Sequence, residues 1–429
     1  MGNNKKEPFI SGTGQVLPHG YEYKMVAILG LTIGFVMFDR FAVANLQSYM
    51  KADLGLSNTS LGVITAVFAA TWAASGVLGS YIADAKMSRK KFLGIFVLFF
   101  SVCSLLTGFC TGFIMLVVVR AVMGIFEGPM YPTAQSFVMP QSSNERRGMN
   151  MGLVQVTIIG LVATTLGPIV QVALAESIGW RWTFAVTIIP GIILTLFIFK
   201  TLVDPQTGGS ATEAEKAPKE KGALLKSLAN RNIIVCIISS IFLLTWYIGV
   251  LTFMPGYLVE VRGFSATEMS FIMSGFGIGA VVLGGLVLPR LSDKIGRKPV
   301  VIISAILGAI AAFGLIYGPN NVPLMVVIAF IGWGGTGVNS MLQAAIPGES
   351  ADPRYVGTSI GTIQLTGELL GATLGATLLG ILADAKGLQA PIMVCGISIL
   401  VTAVLALFFR ETAPLVVAKR EARRMTQKQ

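Results

Sequence analysis

Five ionisable side chains stand inside long apolar runs of this sequence: Asp39, Arg40, Arg120, Glu127 and Glu368. A charge at the centre of a bilayer costs roughly 2.5–3.5 kcal/mol on insertion scales. A chain that keeps five such groups needs a polar cavity in which they pair, titrate or meet a ligand. Arg40 stays charged at any physiological pH and can fork two hydrogen bonds onto a carboxylate. Asp39 and Glu127 are acids that can take up and release a proton. Together they suit the binding of an organic anion along with protons, with protonation from outside freeing Arg40 from carboxylate competition. Arg120 and Glu127 are two helical turns apart and share one helix face.

Pro129 and Pro132 follow Glu127 closely. Each lacks a backbone donor and leaves a carbonyl free, that of Ile125 and that of Gly128. With Gly124 and Gly128 they predict a bendable helix beside an acid, of a kind tolerated where backbone lines a cavity. Glu368 lies in Thr366-Gly367-Glu368-Leu369-Leu370-Gly371, and Gly371 with Gly375 gives small-residue helix packing. Two roles stay open for it: a contact or third titrating site in the cavity, or a protonated acid bonded between helices. A cationic or zwitterionic ligand would suit Glu368 beside Arg40.

Gln155, Gln364, Asn339 and Gln343 are mid-run amides able to face a cavity or to join helices. Trp246 and Tyr247, near Gly249 and Pro255, could gate a site, although packing is the commoner use of such aromatics and of Trp72. The candidate substrate contacts are thus Arg40, Arg120, Gln155, Gln364, Glu368, Asn339, Trp246 and Tyr247, and the candidate proton carriers are Asp39 and Glu127.

The elements that must position them follow from composition. Of 429 residues, 54% are hydrophobic and 12% charged, and the mean hydropathy is +0.75. Soluble chains carry about 25% charged residues, and a membrane-spanning helix needs about 20 apolar ones. A soluble enzyme is excluded, and the expectation is an all-α polytopic membrane protein. Apolar runs predict twelve transmembrane helices over 24–50, 60–83, 91–111, 114–138, 149–175, 182–202, 232–257, 267–289, 299–317, 322–346, 355–383 and 389–410. The chain divides into a tail (1–23), a six-helix half (24–203), a polar linker (204–231), a second six-helix half (232–410) and a tail (411–429). The linker has room for a surface helix around Ala223–Ala229. Residues 1–23 lack a short apolar core with a cleavage site, so no removed signal peptide is expected.

The net charge of +11 could indicate nucleic acid, but no such motif is present. Of the 32 Lys and Arg, only Lys51, Arg181, Arg262 and Lys386 fall on one side of the twelve spans, and Arg40 and Arg120 lie within them. The rest fall on the other side, which places both termini in the cytoplasm by the positive-inside rule. His19 is the single histidine, so no His-rich metal site arises, and Cys103, Cys110, Cys236 and Cys395 read as buried free thiols.

The two halves repeat. A shift of 209 places Asp84 on Asp293, Gly148 on Gly357, Gly152 on Gly361, Gln155 on Gln364 and Thr157 on Thr366. Two pseudo-symmetric six-helix halves with a site between them are the architecture of a rocking carrier. Between the eighth and ninth spans runs Asp293-Lys294-Ile295-Gly296-Arg297-Lys298, in which an acid, a turn glycine and paired bases can latch neighbouring helix ends. The first-half equivalent keeps Asp84 and Arg89 but has Met87 at the glycine position and Ala85 at a base position.

With the duplication and twelve spans, this loop resembles the major facilitator superfamily over essentially the whole chain. Phe38-Asp39-Arg40 and the segment from Arg120 through Glu127-Gly128-Pro129 to Pro132 are similar to the proton-coupled anion:cation symporter branch, which includes bacterial sugar-acid carriers. That resemblance implies coupling and anion-binding roles for Asp39, Arg40 and Glu127, the proton as coupling ion with no other cofactor, a small organic anion as partner, a monomeric unit, and a bacterial inner membrane. An exchanger or proton-driven exporter on the same fold is the alternative. Membrane-enzyme chemistry finds no Ser-His or Cys-His dyad, metal motif or phosphate loop, and no ring of charge or carbonyl filter points to a channel.

Overall fold

The computed structural model describes residues 8–86, 88–205, 228–352, 355–418 and 422, without the side chains of 77–86. Among these residues twelve helices are long and apolar enough to cross a membrane. They are α1 Tyr21–Asn45, α2 Asn58–Lys86, α3 Arg89–Gly108, α4 Phe113–Gln141, α5 Arg147–Ile178, α6 Trp180–Thr201, α7 Arg231–Val261, α8 Ala266–Ile295, α9 Arg297–Tyr317, α10 Val322–Ser350, α11 Val356–Lys386 and α12 Gln389–Ala406. Exposed Ile114, Leu196, Leu378 and Ile397 belong to an apolar belt around the bundle, as a lipid-facing surface requires. The duplication extends to the helix starts: Arg147 and Val356, like Trp180 and Gln389, stand 209 positions apart.

Two boundaries differ from expectation for a visible reason. The first span was expected to run to residue 50, but α1 stops at Asn45 and a separate helix, Gln47–Leu54, follows. Gln47 fixes the break, because its Nε2 donates to Ala44 O and, across the bundle, to Thr252 O on α7. The described part of the tail before α1 is built on a small hairpin. Strands β1 (Phe9–Ile10) and β2 (Val16–Leu17) pair antiparallel, and Thr13 and Gln15 donate to Pro140 O and Asp204 O. Most of the expected linker helix, like Met87 and the side chain of Asp84, lies outside the described residues.

The end of the bundle that carries the tails is the terminal end, and the opposite one the far end. At the far end the halves are tied by a two-fold related pair of contacts. Asp384, near the end of α11, accepts from Asn58 N at 2.9 Å and Thr59 N at 2.8 Å, the free donors at the start of α2. Glu176, near the end of α5, accepts from Thr267 Oγ1 at the start of α8 at 2.9 Å. Lys51 and Glu260 add a 2.7 Å ion pair across the same seam. At Gly62 the α2 and α11 backbones meet so closely that a Cβ would stand 2.4 Å from Ala376 O.

At the terminal end each half is clamped internally. Arg297 pairs with Asp293 at 2.7 Å and with Glu349 at 2.6 Å, and its backbone N–H donates to Glu411 at 2.7 Å. In the first half, Asp204 accepts from Ser88 Oγ and Lys90 N, while Arg89 donates to Ser136 O at 3.4 Å. A carboxylate arriving after the sixth helix of each half therefore caps the start of the third. Gly296 is the turn this requires: its φ is +112°, and a Cβ there would stand 2.3 Å from the Glu411 carboxylate. Such backbone costs a side chain of order 1–3 kcal/mol. Gly296→Ala should lower the melting temperature of the purified protein by several degrees, whereas Gly148→Ala, where nothing lies within 4 Å of the added methyl, should not.

Candidate functional site

Asp39 and Arg40 are adjacent on α1, so a helix turns them about 100° apart, and they enter different environments. Asp39 points into the first half. Its Oδ1 accepts from Ser104 Oγ on α3, its Oδ2 lies 3.5 Å from Arg120 Nη1 on α4, and Arg120 Nη1 also donates to Asp39 O at 3.2 Å. Thr187 on α6 lies 2.6 Å from Ser104 Oγ, and the Arg120 guanidinium sits over the Phe184 ring. Both charged side chains are 2% exposed. The close approach of α2 and α4 depends on glycine: Cβ atoms at Gly124 and Gly128 would stand 2.2 Å from Thr71 Oγ1 and from Trp72 O. The Gly128-Pro129 step stays in right-handed helical geometry, so the glycines serve contact with α2 rather than a sharp bend.

Arg40 points to the seam between the halves. Its guanidinium lies over Phe68 and Trp72 of α2, with 5.2 and 5.1 Å to the ring centroids, and its Nη2 is 3.6 Å from Glu368 Oε2 on α11. On the terminal side of this pair is a cleft, open to solvent, that spans about 1060 Å³. It reaches from Glu368 in mid-helix to Gly357, the second residue of α11, and is lined also by Trp72, Tyr131, Gln135 and Gln364. On the far side a much smaller space lies against Arg40, Phe68, Arg120 and Leu251. Arg40, Glu368 and the two rings are the partition between them.

Glu127 is fully buried one turn below the cleft residue Tyr131, and neither of its oxygens has a hydrogen-bond partner among the described residues. Gln155 accepts from Tyr131 Oη at 3.2 Å, which places both halves' repeated glutamines, Gln155 and Gln364, near the cleft. Glu368 lies in the stretch Gly367–Leu374, where the helix widens to i→i+5 bonding, a local distortion common at functional positions. Tyr247 packs at the seam against a cluster of Ala69 of α2 with Ala372 and Ala376 of α11.

Three expected substrate contacts are placed elsewhere. Trp246 is fully buried, donates from Nε1 to Gly308 O at 3.1 Å and packs on Trp333, so it belongs to the second-half core. Asn339 is exposed on α10 and lines neither space beside Arg40. Arg120 gives only Nη1 to Asp39, its Nε and Nη2 have no hydrogen-bond partner among the described residues, and it lines the smaller far-side space rather than the cleft. The carboxylate that competes for Arg40 is accordingly Glu368, and not Asp39. Sequence reasoning missed Ser104, Thr187, Phe68 and Tyr131, which are ordinary residues in apolar helices, and gave no sign of Glu349 or Glu411 around Arg297.

Twelve spanning helices in two repeated halves, with buried charge at their seam, define an integral membrane transporter rather than an enzyme. The Major Facilitator Superfamily sequence model matches residues 29–287 and 263–428, and the chain belongs to that family. It is 28% identical over 292 residues to a Cupriavidus necator protein described as a probable sulfoacetate transporter, a match spanning 64% of this chain and 66%, just under two thirds, of that one. It is 25% identical over 383 residues to the D-galactonate transporter of Escherichia coli, covering 82% of this chain and 86% of that one. In fold it is similar to a bacterial homologue of the human lysosomal transporter Spinster, with a TM-score of 0.72 at 20% identity over 91% of this chain and 95% of that one.

Removing one member of a buried ion pair strands the other charge and costs about 3–5 kcal/mol. Asp39→Asn should therefore lower the melting temperature strongly through Arg120, and the Asp39→Asn/Arg120→Met double variant should recover much of the loss. A single variant that melts like the parent would show that the pair bears no structural load.

Proposed function

We propose that this transporter imports a small organic anion, such as a sugar acid or another carboxylate, together with protons, by alternating access. The observation that carries the reading is Arg40, a permanent cation paired to Glu368, which closes the inner end of the cleft between the halves, with Arg40 itself lining the smaller space beyond. A guanidinium there offers an anion two parallel hydrogen bonds, and the Phe68 and Trp72 faces hold it in plane without neutralising it. The relatives that carry sulfoacetate or D-galactonate support an anionic cargo. The basic residues of the terminal end support a cytoplasmic location for it, and the family resemblance supports a bacterial inner membrane. The cleft is then the inward-facing opening, and the far-end ties are the closed outer gate.

Glu127 and Asp39 are the proton carriers in this scheme. Glu127 has no cation bonded to it, so a proton is the partner its charge can take, and Arg120 tunes Asp39 beside it. With one proton per monovalent anion, a gradient of one pH unit supplies about 1.4 kcal/mol, a tenfold accumulation. With two protons one net charge also moves, which adds about 2.3 kcal/mol per 100 mV and brings the total to roughly 5 kcal/mol.

Uptake of sugar acids, aromatic acids and short carboxylates into proteoliposomes, with and without an inward proton gradient, tests the reading. Gradient-driven accumulation of one unchanged acid is expected, and Glu127→Gln should abolish accumulation while leaving exchange of internal for external substrate. Uptake that ignores the gradient but needs internal substrate would make the protein an exchanger. Accumulation that stays gradient-driven in Glu127→Gln would remove the proton role of that residue.

A further inference from the structure

Glu368 belongs to the second half and Arg40 to the first, so their pair is a mid-depth link between two bodies. Its geometry is loose. Oε2 stands 3.6 Å from Nη2 and makes no hydrogen bond among the described residues, so the pair is not a hydrogen-bonded fork. A free carboxylate entering from the cleft could make the forked pair that Glu368 does not, and would gain from the exchange. The groups around Glu368 leave it few alternatives. From α1 it meets Arg40, Tyr131 of α4 lines the same cleft, and Tyr247 of α7 packs against the cluster of Ala69 and Ala372 beside it. On the α2 side stand the rings of Phe68 and Trp72, which carry no charge.

The charge count adds a constraint. Arg120 is matched by Asp39 and Arg40 by Glu368, and with Glu127 carrying a proton the five groups balance. An incoming monoanion adds a negative charge to a balanced, low-dielectric site. Proton uptake balances that charge, and the carboxylate displaced from Arg40 is the group left without a cation.

We propose that Glu368 is a built-in substitute for the substrate: ionised, it occupies Arg40 and ties the halves together in the empty transporter, and protonated, it yields Arg40 to the incoming anion and releases the tie. This rests on Arg40 as the seat of the anion, the reading given above, and deepens it by assigning both specificity and a proton to a residue of the second half. The step is a proton transfer from water to a Glu368 oxygen, followed by exchange of one carboxylate for another on the guanidinium. Glu368 thereby selects ligands whose anionic group outbids a carboxylic acid for the guanidinium.

Two measurements on the full-length protein in nanodiscs test this, one of them independent of any ligand. For the first, spin labels at Ile114→Cys and Tyr317→Cys, exposed far-end positions on opposite halves, report the distance across the seam. A single narrow distance at pH 9 that broadens at pH 5 is expected, with Glu368→Gln broad at both and Glu368→Asp restoring the response. A Glu368→Gln protein that narrows between pH 5 and pH 9 as the parent does would overturn the tie. For the second, D-galactonate and then each acid of the uptake panel are titrated calorimetrically at pH 6 and pH 8 in buffers of different ionisation enthalpy. The parent should lose up to tenfold in affinity per pH unit, because only the Glu368-protonated fraction binds. Glu368→Gln should bind more tightly at pH 8 and take up one proton fewer per anion. Equal proton uptake in the two proteins would overturn the substitution role. Should no acid bind the parent at either pH, the organic-anion reading fails, and the seam distances still decide whether Glu368 ties the halves.

Discussion

Placing charge in an apolar slab is the constraint on which this structure turns. An arginine or carboxylate that cannot reach water must find an opposite charge or a dipole, and the cost of failing is several kcal/mol. The sequence puts Asp39 and Arg40 side by side on one helix, yet helical geometry prevents them from satisfying each other as neighbours do in an extended chain. Each must be met by another helix. Asp39 is met from within its own half by Arg120, Ser104 and, through Ser104, Thr187, which fixes how α1, α3, α4 and α6 assemble. Arg40 is met from the other half by Glu368, which fixes how α1 and α2 face α11. One pair builds a body, and the other spans the seam between bodies.

The remaining polar contacts follow the same division. Clamps inside each half, centred on Arg297 in the second and on Asp204 in the first, tie the start of the third helix to the segment after the sixth. They tie the helices of each half to one another. The ties between halves are fewer and gathered at the far end, where Asp384 and Glu176 cap or grip the first turns of helices belonging to the opposite half. Helix N-termini suit this use, since their free N–H groups welcome a carboxylate and release it without breaking a helix. Rocking of rigid halves about a central site is the motion this distribution permits.

A permanent cation at the seam gives that motion a chemical dependence. Arg40 is met across the seam by Glu368, so in the proposed cycle ligand occupancy and protonation act on a contact that joins the halves. The aromatic rings of Phe68 and Trp72 keep the guanidinium in place while its partners change. The apolar walls around it keep the electrostatic stakes high, because little water is at hand to screen an exchange of partners.

Much was determined by sequence alone, for physical reasons. Hydropathy set the number of spans, since lipid admits only helices of a given length. The 209-residue repeat set the two halves and recurs in the helix starts, from Arg147 and Val356 to Trp180 and Gln389. Charges inside apolar runs marked Asp39, Arg40, Glu127 and Glu368 because such residues are costly without a use. What sequence left open is pairing. Whether Arg40 meets Asp39, Glu127 or Glu368 depends on rotations and depths of separate helices, which residue counts fix only to within a turn. The fates of Trp246, buried against Gly308 and Trp333, and of Asn339, exposed on α10, turn on the same rotation about a helix axis that is apolar on every side. In a soluble helix an apolar stripe reveals the inward face, but here lipid and core demand the same residues. Only tertiary packing could decide which side chains reach the cleft.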